Sequence, residues 1–363
     1  MLTPNMNHLL SRSLVFIAEY THDLVGDDRV SKRRPVLLLI LTVFLAISAA
    51  AGGDRRLPPD AGEITIVVTD SGLGGLSIMA EAAARLKESG VYQRARLIFF
   101  NALFSNDGGY NSLSSRADKI RVFGNVLRAI EKRYSPDLIL VACNTLSVLL
   151  PDTPAARSAR TPIRGIVEPG AILLAAAWKR SPSSSVLLFG TETTIAEGAH
   201  RARLMALGVP GDRIIAQACP ELASYIEDAP AGENTALLIS SYVDEALARL
   251  PVPPPPVVAG LVCTHYGYAA TLWTAAFAEK KIDIRGILDP NGSLAEAVVP
   301  AGAAKRFDQT DIEARVVSMV EIPEHKRAAL GDRLTLRSPE VAAAFRAYER
   351  VPDLFEGPAG LKK

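Results

Sequence analysis

Two apolar runs of the chain each end in a cysteine tripeptide. The run at 138–142 precedes Cys143-Asn144-Thr145. The run at 257–262 precedes Cys263-Thr264-His265, 120 residues further along the chain. Short continuous apolar runs are typical of strands in a parallel sheet that is covered on both faces. Ligands bind at the carboxyl ends of such strands, so we expect both thiols to face one ligand.

The two thiols predict proton transfer as well as nucleophilic chemistry. A thiolate is a base, so a facing pair could take a proton from one side of a carbon and return one to the other. A free cysteine also often packs as a small hydrophobe. The polar neighbours of Cys143 and Cys263 favour a functional role for both. Cys219 has no such neighbours, and we interpret it as structural or peripheral.

Strand and helix patterns alternate from residue 64 onward. A strand is expected at 64–69 and a helix at 76–87, with further strands at 96–100, 163–167, 185–189 and 214–217. Strands separated regularly by helices predict an α/β protein with a mostly parallel sheet.

The turn Asp70-Ser71-Gly72-Leu73-Gly74-Gly75 separates the first strand from the first helix. Glycines there allow a sharp bend and a close approach to a ligand, and the helix amino terminus favours an anion. The spacing only approximates the dinucleotide motif, and Asp70 would place negative charge beside a pyrophosphate. A small carboxylate held by Ser71 and the turn amides fits better, with Asp70 binding an ammonium or orienting a thiol.

Composition favours a small-molecule ligand. The 40 basic and 39 acidic residues give no clustered positive charge for nucleic acid. The 5 histidines show no metal-ligand spacing, and 3 cysteines make a disulfide framework unfavourable. We therefore expect no metal and no nucleic-acid partner.

Residues 1–53 have the order of a secretory signal. Lys32-Arg33-Arg34 precedes an apolar or small stretch at 36–51, and polar residues follow. The stretch is short for a membrane span, although an uncleaved anchor is the alternative. Residues 54–63 read as a linker. These features predict export to the periplasm or the cell exterior.

Five motifs in order resemble those of the cofactor-independent aspartate/glutamate racemase family, and most closely those of its glutamate racemases. They are Asp70 to Gly75, Cys143 to Thr145, Glu168-Pro169-Gly170, Gly190-Thr191-Glu192-Thr193-Thr194 and Cys263-Thr264-His265-Tyr266. The resemblance extends over about residues 64–348. It implies two similar doubly wound parallel-sheet domains related by a pseudo-twofold, with the active site in the cleft between them. The domains would be 64–162 plus 283–350, and 163–282.

The resemblance also implies the chemistry. L- and D-glutamate would be interconverted without a cofactor, with Cys143 and Cys263 as the two bases. Asp70 and His265 would assist them, and Glu192 would be the partner of His265. The substrate would be bound by Ser71, Asn144, Thr145, Thr191, Thr194 and Thr264. A homodimer is compatible with the resemblance.

One loop departs from the family pattern, which leaves other functions open. Glutamate racemases typically have Gly-Asp-Thr-Ala-Arg followed by Pro-Tyr-Gly, whereas this chain has Phe100-Asn101-Ala102-Leu103-Phe104 and Gly109-Tyr110-Asn111. The altered loop would close the pocket. An aspartate racemase, another two-cysteine isomerase or lyase acting on a dicarboxylic acid, and a non-catalytic exported amino-acid-binding protein are the alternatives. Export would be a second departure from the family pattern, because the D-glutamate for cell-wall precursors is used in the cytoplasm.

The amino terminus yields a direct prediction. We expect cleavage near Ala49 to Ala51, and translation starting at Val30 through an alternative start codon. Amino-terminal sequencing of the exported protein should therefore give a start just after this small-residue zone. Detection of a peptide covering residues 9–27 in the unprocessed protein would contradict the Val30 start.

Overall fold

The computed structural model describes residues 57–106 and 108–358. They belong to one compact unit. The expected signal or anchor at 1–53, and the linker residues 54–56, lie outside the described residues. Among the described helices, none is both long and apolar enough to cross a membrane.

Strands and helices alternate along the described chain. The first elements are β1 (Glu63–Asp70), α1 (Leu76–Ser89), β2 (Arg94–Asn101), α2 (Arg116–Tyr134), β3 (Leu138–Val141), α3 (Asn144–Ser147), α4 (Pro154–Ser158) and β4 (Ile163–Gly165). The middle contains α5 (Val167–Arg180), β5 (Ser185–Gly190), α6 (Glu192–Glu197), α7 (Ala199–Ala206), β6 (Ile214–Ala218), α8 (Leu222–Asp228), α9 (Glu233–Leu247), β7 (Val257–Val262), α10 (Ala270–Glu279), β8 (Ile284–Leu288) and α11 (Asn291–Ala295). The last elements are β9 (Asp311–Ser318), α12 (Glu324–Thr335), α13 (Pro339–Arg346) and β10 (Glu349–Arg350).

The strands form two parallel sheets. Their orders are β10-β9-β2-β1-β3-β4 and β6-β5-β7-β8. Every pairing within them is parallel. In the second sheet, Gly190 pairs with Ala218 on one side and with Val262 on the other. The predicted α/β fold with two parallel-sheet halves is confirmed.

Strand pairing divides the chain slightly differently from the predicted boundaries. β4 pairs with β3 in the first sheet, although residue 163 was the predicted start of the second domain. β8 pairs with β7 in the second sheet, although residue 283 was the predicted return to the first domain. Pairing between strands distant in sequence decides both placements, and local patterns do not encode it.

The continuous apolar runs are explained by burial on both sheet faces. Ile66 and Val68 of β1 pack into one hydrophobic cluster, whereas Val67 packs into another on the opposite face. Successive strand side chains point to opposite faces, so a strand covered on both sides needs apolar residues at each position. Because the strands are parallel, their carboxyl ends lie together on one side of the sheet, and so do the residues that follow them.

Local sequence determines where helix α2, which covers one face of the first sheet, begins and which residues it buries. The Ser115 hydroxyl caps its start by accepting a hydrogen bond from the Asp118 N–H at 3.0 Å. Its buried face includes Val122, Val126 and Ile130, spaced four residues apart. This spacing forms one apolar stripe that packs against the first sheet.

The two halves touch where the turn after β1 meets the segment after β7. The Thr264 hydroxyl donates to Asp70 Oδ2 at 2.8 Å, and the Gly74 nitrogen lies 3.0 Å from His265 Nε2. A Cβ on Gly74 would lie 2.7 Å from the backbone nitrogen of His265 and still closer to the Thr264 hydroxyl. Glycine is therefore required for this close approach.

Gly74→Ala should destabilise the protein by about 1–3 kcal/mol, because the added methyl overlaps fixed backbone as well as side chain. Gly292→Ala is the matched control, since a Cβ there meets no atom within 4 Å. The urea midpoint of Gly74→Ala should fall below that of the wild type, and that of Gly292→Ala should not. Equal midpoints for all three proteins would contradict the tight contact.

Candidate active site

A cavity of about 290 Å³ lies at the carboxyl ends of β1, β3 and β7. Of the eleven site residues predicted from sequence, nine line it: Asp70, Ser71, Cys143, Asn144, Thr145, Thr191, Cys263, Thr264 and His265. The structure thus brings both cysteine tripeptides and the glycine turn around one space. The volume suits a ligand of amino-acid size.

The other two predicted residues do not line the cavity. Thr194 is buried, and its hydroxyl accepts a hydrogen bond from the Thr191 hydroxyl at 2.9 Å. The Thr191 hydroxyl also lies 2.9 Å from that of Thr145, so Thr194 supports two lining residues from behind. Glu192 is exposed in the first turn of α6.

Cys143 lies at the amino-terminal end of α3, beside a hydroxyl and a carboxyl group. Its Sγ is 3.1 Å from the Ser71 hydroxyl. Burial and the nearby Asp70 carboxylate raise the pKa of the Cys143 thiol. Burial also raises the pKa of Asp70, against the opposing effects of His265 and of hydrogen bonds from Thr264 and Cys143. Cys143 is therefore a protonated thiol at neutral pH and can act as a proton donor.

Cys263 lies beside an imidazole that is itself held by a carboxylate. The Cys263 Sγ is 3.6 Å from His265 Nδ1, and His265 Nε2 is 2.7 Å from Glu227 Oε1. Burial alone would lower the pKa of His265, but its hydrogen bonds to Cys263 and Glu227 raise that pKa well above its usual value. An imidazolium in this position places its positive charge beside the Cys263 sulfur.

Glu227, rather than the predicted Glu192, is the partner of His265. Its Oε1 also accepts the Leu73 N–H at 2.9 Å, and its Oε2 is 3.0 Å from Lys326 Nζ. Burial would raise the pKa of Glu227, but His265, Lys326 and the Leu73 N–H together lower it to about 2. Glu227 is thus a carboxylate throughout the physiological pH range.

The error about Glu192 has a local physical cause. The Thr191 hydroxyl accepts the Thr194 N–H and caps α6, which leaves Glu192 in the exposed first turn. Glu227 belongs to α8, where it directly follows the buried Ile226. In the sequence, the pair Glu227-Asp228 is typical of a helix end that is exposed to solvent. The only local signal that the Glu227 carboxylate is buried is its position directly after the apolar Ile226.

The loop that departs from the family pattern forms one wall of the cavity. The Tyr110 ring packs against Phe104 with centroids 5.4 Å apart. The Asn111 Oδ1 accepts a hydrogen bond from the Thr193 hydroxyl at 2.8 Å, which ties the loop to α6. The Asn101 amide donates to the Ser318 hydroxyl at 3.1 Å at the base of the loop. The described residues of the altered loop therefore still line the cavity that contains Cys143.

Within the ranges that the structure describes, no three side chains of His, Cys, Asp or Glu are grouped so that they could hold a metal ion. The titratable groups that line the cavity include Asp70 beside Cys143, and His265 and Glu227 beside Cys263.

No protein-family model matches the chain. A glutamate racemase of Koribacter versatilis (strain Ellin345) is 30% identical over 258 residues, which cover 66% of this chain and 80% of the relative. One of Lysinibacillus sphaericus (strain C3-41) is 28% identical over 250 residues, which cover 65% and 86%. The crystal structure of glutamate racemase from Thermus thermophilus in complex with β-chloro-D-alanine is 25% identical, with a TM-score of 0.54, and the match covers 81% of this chain and 97% of that one. The chain belongs to the glutamate racemase family.

Proposed function

We propose that the protein interconverts L- and D-glutamate without a cofactor, by proton transfer at the α-carbon. One observation carries the proposal: two thiols with different acid–base partners line a single cavity of amino-acid size. The similarity to proteins named glutamate racemase supports glutamate as the substrate.

The two thiols would act in turn on opposite faces of the substrate. The Cys263 thiolate takes the α-proton of one enantiomer and becomes a thiol. The Cys143 thiol then gives its proton to the opposite face and becomes a thiolate, which leaves the site ready for the reverse reaction. Each turnover moves one proton in and one proton out, so no oxidant or reductant is required.

The carbanion formed at the α-carbon needs hydrogen-bond donors at the adjacent carboxylate. The lining hydroxyls of Thr145 and Thr191 can supply them. The Asn144 amide is buried, and neither its nitrogen nor its oxygen has a partner among the described residues. A substrate carboxylate or ammonium would satisfy these groups, which gives Asn144 a role in binding.

We also propose export, supported by the basic, apolar and small-residue order of residues 32–51. An exported racemase would act on amino acids outside the cytoplasm. The amino-terminal sequencing described above separates cleavage from retention as an anchor.

The activity is tested by incubating the protein in D₂O with a panel of single amino-acid enantiomers. Deuterium should enter the α-position of glutamate, and the opposite enantiomer should accumulate. Faster exchange with aspartate would transfer the proposal to that substrate, and no exchange with any amino acid would overturn it.

Cys143→Ser and Cys263→Ser should each nearly abolish racemisation in both directions, because a hydroxyl is a far weaker base than a thiolate. Each variant should still eliminate a β-leaving group from one enantiomer of a substrate analogue, since elimination needs only the surviving base. Near wild-type racemisation by both folded variants would show that the cysteines only pack.

Glu227→Gln and Glu192→Gln form a matched pair that separates the two candidate partners of His265. The kcat of Glu227→Gln should fall about 100-fold or more, because the neutral amide no longer holds His265 as an imidazolium. Glu192→Gln should stay within about threefold of the wild type, because an exposed side chain outside the cavity is changed. Steady-state kinetics with both enantiomers check this, and a larger loss in Glu192→Gln would restore the prediction made from sequence.

A further inference from the structure

Lys326 lies near the start of α12 and reaches the buried carboxylate behind Cys263. Its Nζ is 3.0 Å from Glu227 Oε2 and 3.3 Å from Asp228 Oδ1. The Lys326 side chain is 21% exposed and that of Glu227 is 11% exposed, so their contact is largely shielded from solvent. Screening by water is correspondingly weak, and the charge of Lys326 acts strongly on Glu227.

The charges alternate from Lys326 through Glu227 and His265 to Cys263. Glu227 faces the imidazole of His265, the ammonium of Lys326 and the Leu73 N–H. Lys326 faces Glu227 and Asp228. The Asp228 carboxylate also lies 3.1 Å from His325 Nε2, on the exposed side.

The groups around the Cys143 thiol are different. Its thiol lies against the Ser71 hydroxyl and near the Asp70 carboxyl, whose own hydrogen-bond donor is the Thr264 hydroxyl. The cation of Lys326 therefore serves one thiol much more than the other.

We propose that Lys326 is a positioning residue for the Cys263 half of the reaction, where it holds the Glu227 carboxylate charged and fixed against His265. This inference rests on the proposed function. A buried carboxylate that loses its cation is strongly disfavoured, so Glu227 would take up a proton or turn away from His265. A neutral or displaced Glu227 no longer holds His265 as an imidazolium, so abstraction of the α-proton by Cys263 would require higher pH.

Racemisation rates alone cannot reveal a one-sided effect. The two enantiomers have equal free energies, so the values of kcat/KM in the two directions must remain equal in any variant. Elimination from 3-chloroglutamate avoids this constraint. A single base removes the α-proton, the C–Cl bond breaks, chloride leaves, and the resulting enamine hydrolyses to a 2-oxo acid and ammonia. The enantiomer whose elimination is lost in Cys263→Ser is the one that Cys263 deprotonates.

Lys326→Met should reduce chloride release from that enantiomer about tenfold at neutral pH. The acidic limb of its kcat/KM profile should move up by about one pH unit. Release from the other enantiomer should change by less than about threefold, since Cys143 has its own partners. Lys326→Gln should behave like Lys326→Met, and Lys326→Arg should restore most of the rate. Lys280→Met is the control, because it removes a lysine whose partner, the Asp244 carboxylate, is 56% exposed.

Thermal melts of each variant give the folded fraction to which the rates are normalised. Equal losses for both enantiomers, or a raised KM with an unmoved acidic limb, would overturn the inference and indicate a structural role or direct substrate binding. If the wild-type protein neither racemises glutamate nor eliminates chloride, the proposed function itself fails. If the wild type racemises glutamate but the acidic limb of the Lys326→Met kcat/KM profile does not shift, only the role of Lys326 is refuted.

Discussion

The structure of the site depends on one close contact between the two halves of the molecule. The turn after β1 supplies Asp70 and Gly74, and the segment after β7 supplies Thr264 and His265. Each half thereby donates a hydrogen bond to a group that assists the thiol of the other half: Thr264 donates to Asp70, and the Leu73 N–H donates to Glu227. Because these hydrogen bonds cross between the halves, neither Asp70 nor Glu227 has its full set of partners unless the halves meet. Gly74 makes this approach sterically feasible.

The two thiols differ in the charge around them, and this difference suits a one-proton relay. A carboxyl group near Cys143 and the burial of that thiol keep it protonated. Beside Cys263, an imidazolium held by Glu227 places a positive charge 3.6 Å from the sulfur. These surroundings suit Cys143 to give a proton and Cys263 to take one, which is the combination that inversion of a carbon requires. Two identical settings would give two acids or two bases and would need a further proton exchange with solvent before each turnover.

Sequence patterns predicted those parts of the site that adjoin a strand or a recognisable turn. Cys143 and Cys263 follow uninterrupted apolar runs, and Asp70 begins a glycine turn, so their common location followed from parallel-sheet geometry. Glu227 and Lys326 could not be found in this way. Glu227, in the last turn of α8, reaches His265 from 38 residues away. Lys326, in the first turn of α12, reaches Glu227 in turn. Local sequence does not show which charged residue of a helix end turns inward. Pairing between distant strands likewise places β4 in the first sheet and β8 in the second, and local patterns do not encode it.

The register of the second sheet limits how the protein can respond to oxidation. Ala218 and Val262 lie on opposite sides of Gly190, so two strand spacings, about 9.5 Å, separate them. Cys219 and Cys263 directly follow these residues. A disulfide requires Cα atoms within about 7 Å, so the third thiol cannot resolve an oxidised Cys263 without distortion of the sheet. Recovery from an oxidised Cys263 would therefore require Cys143 across the cleft or a thiol from solution.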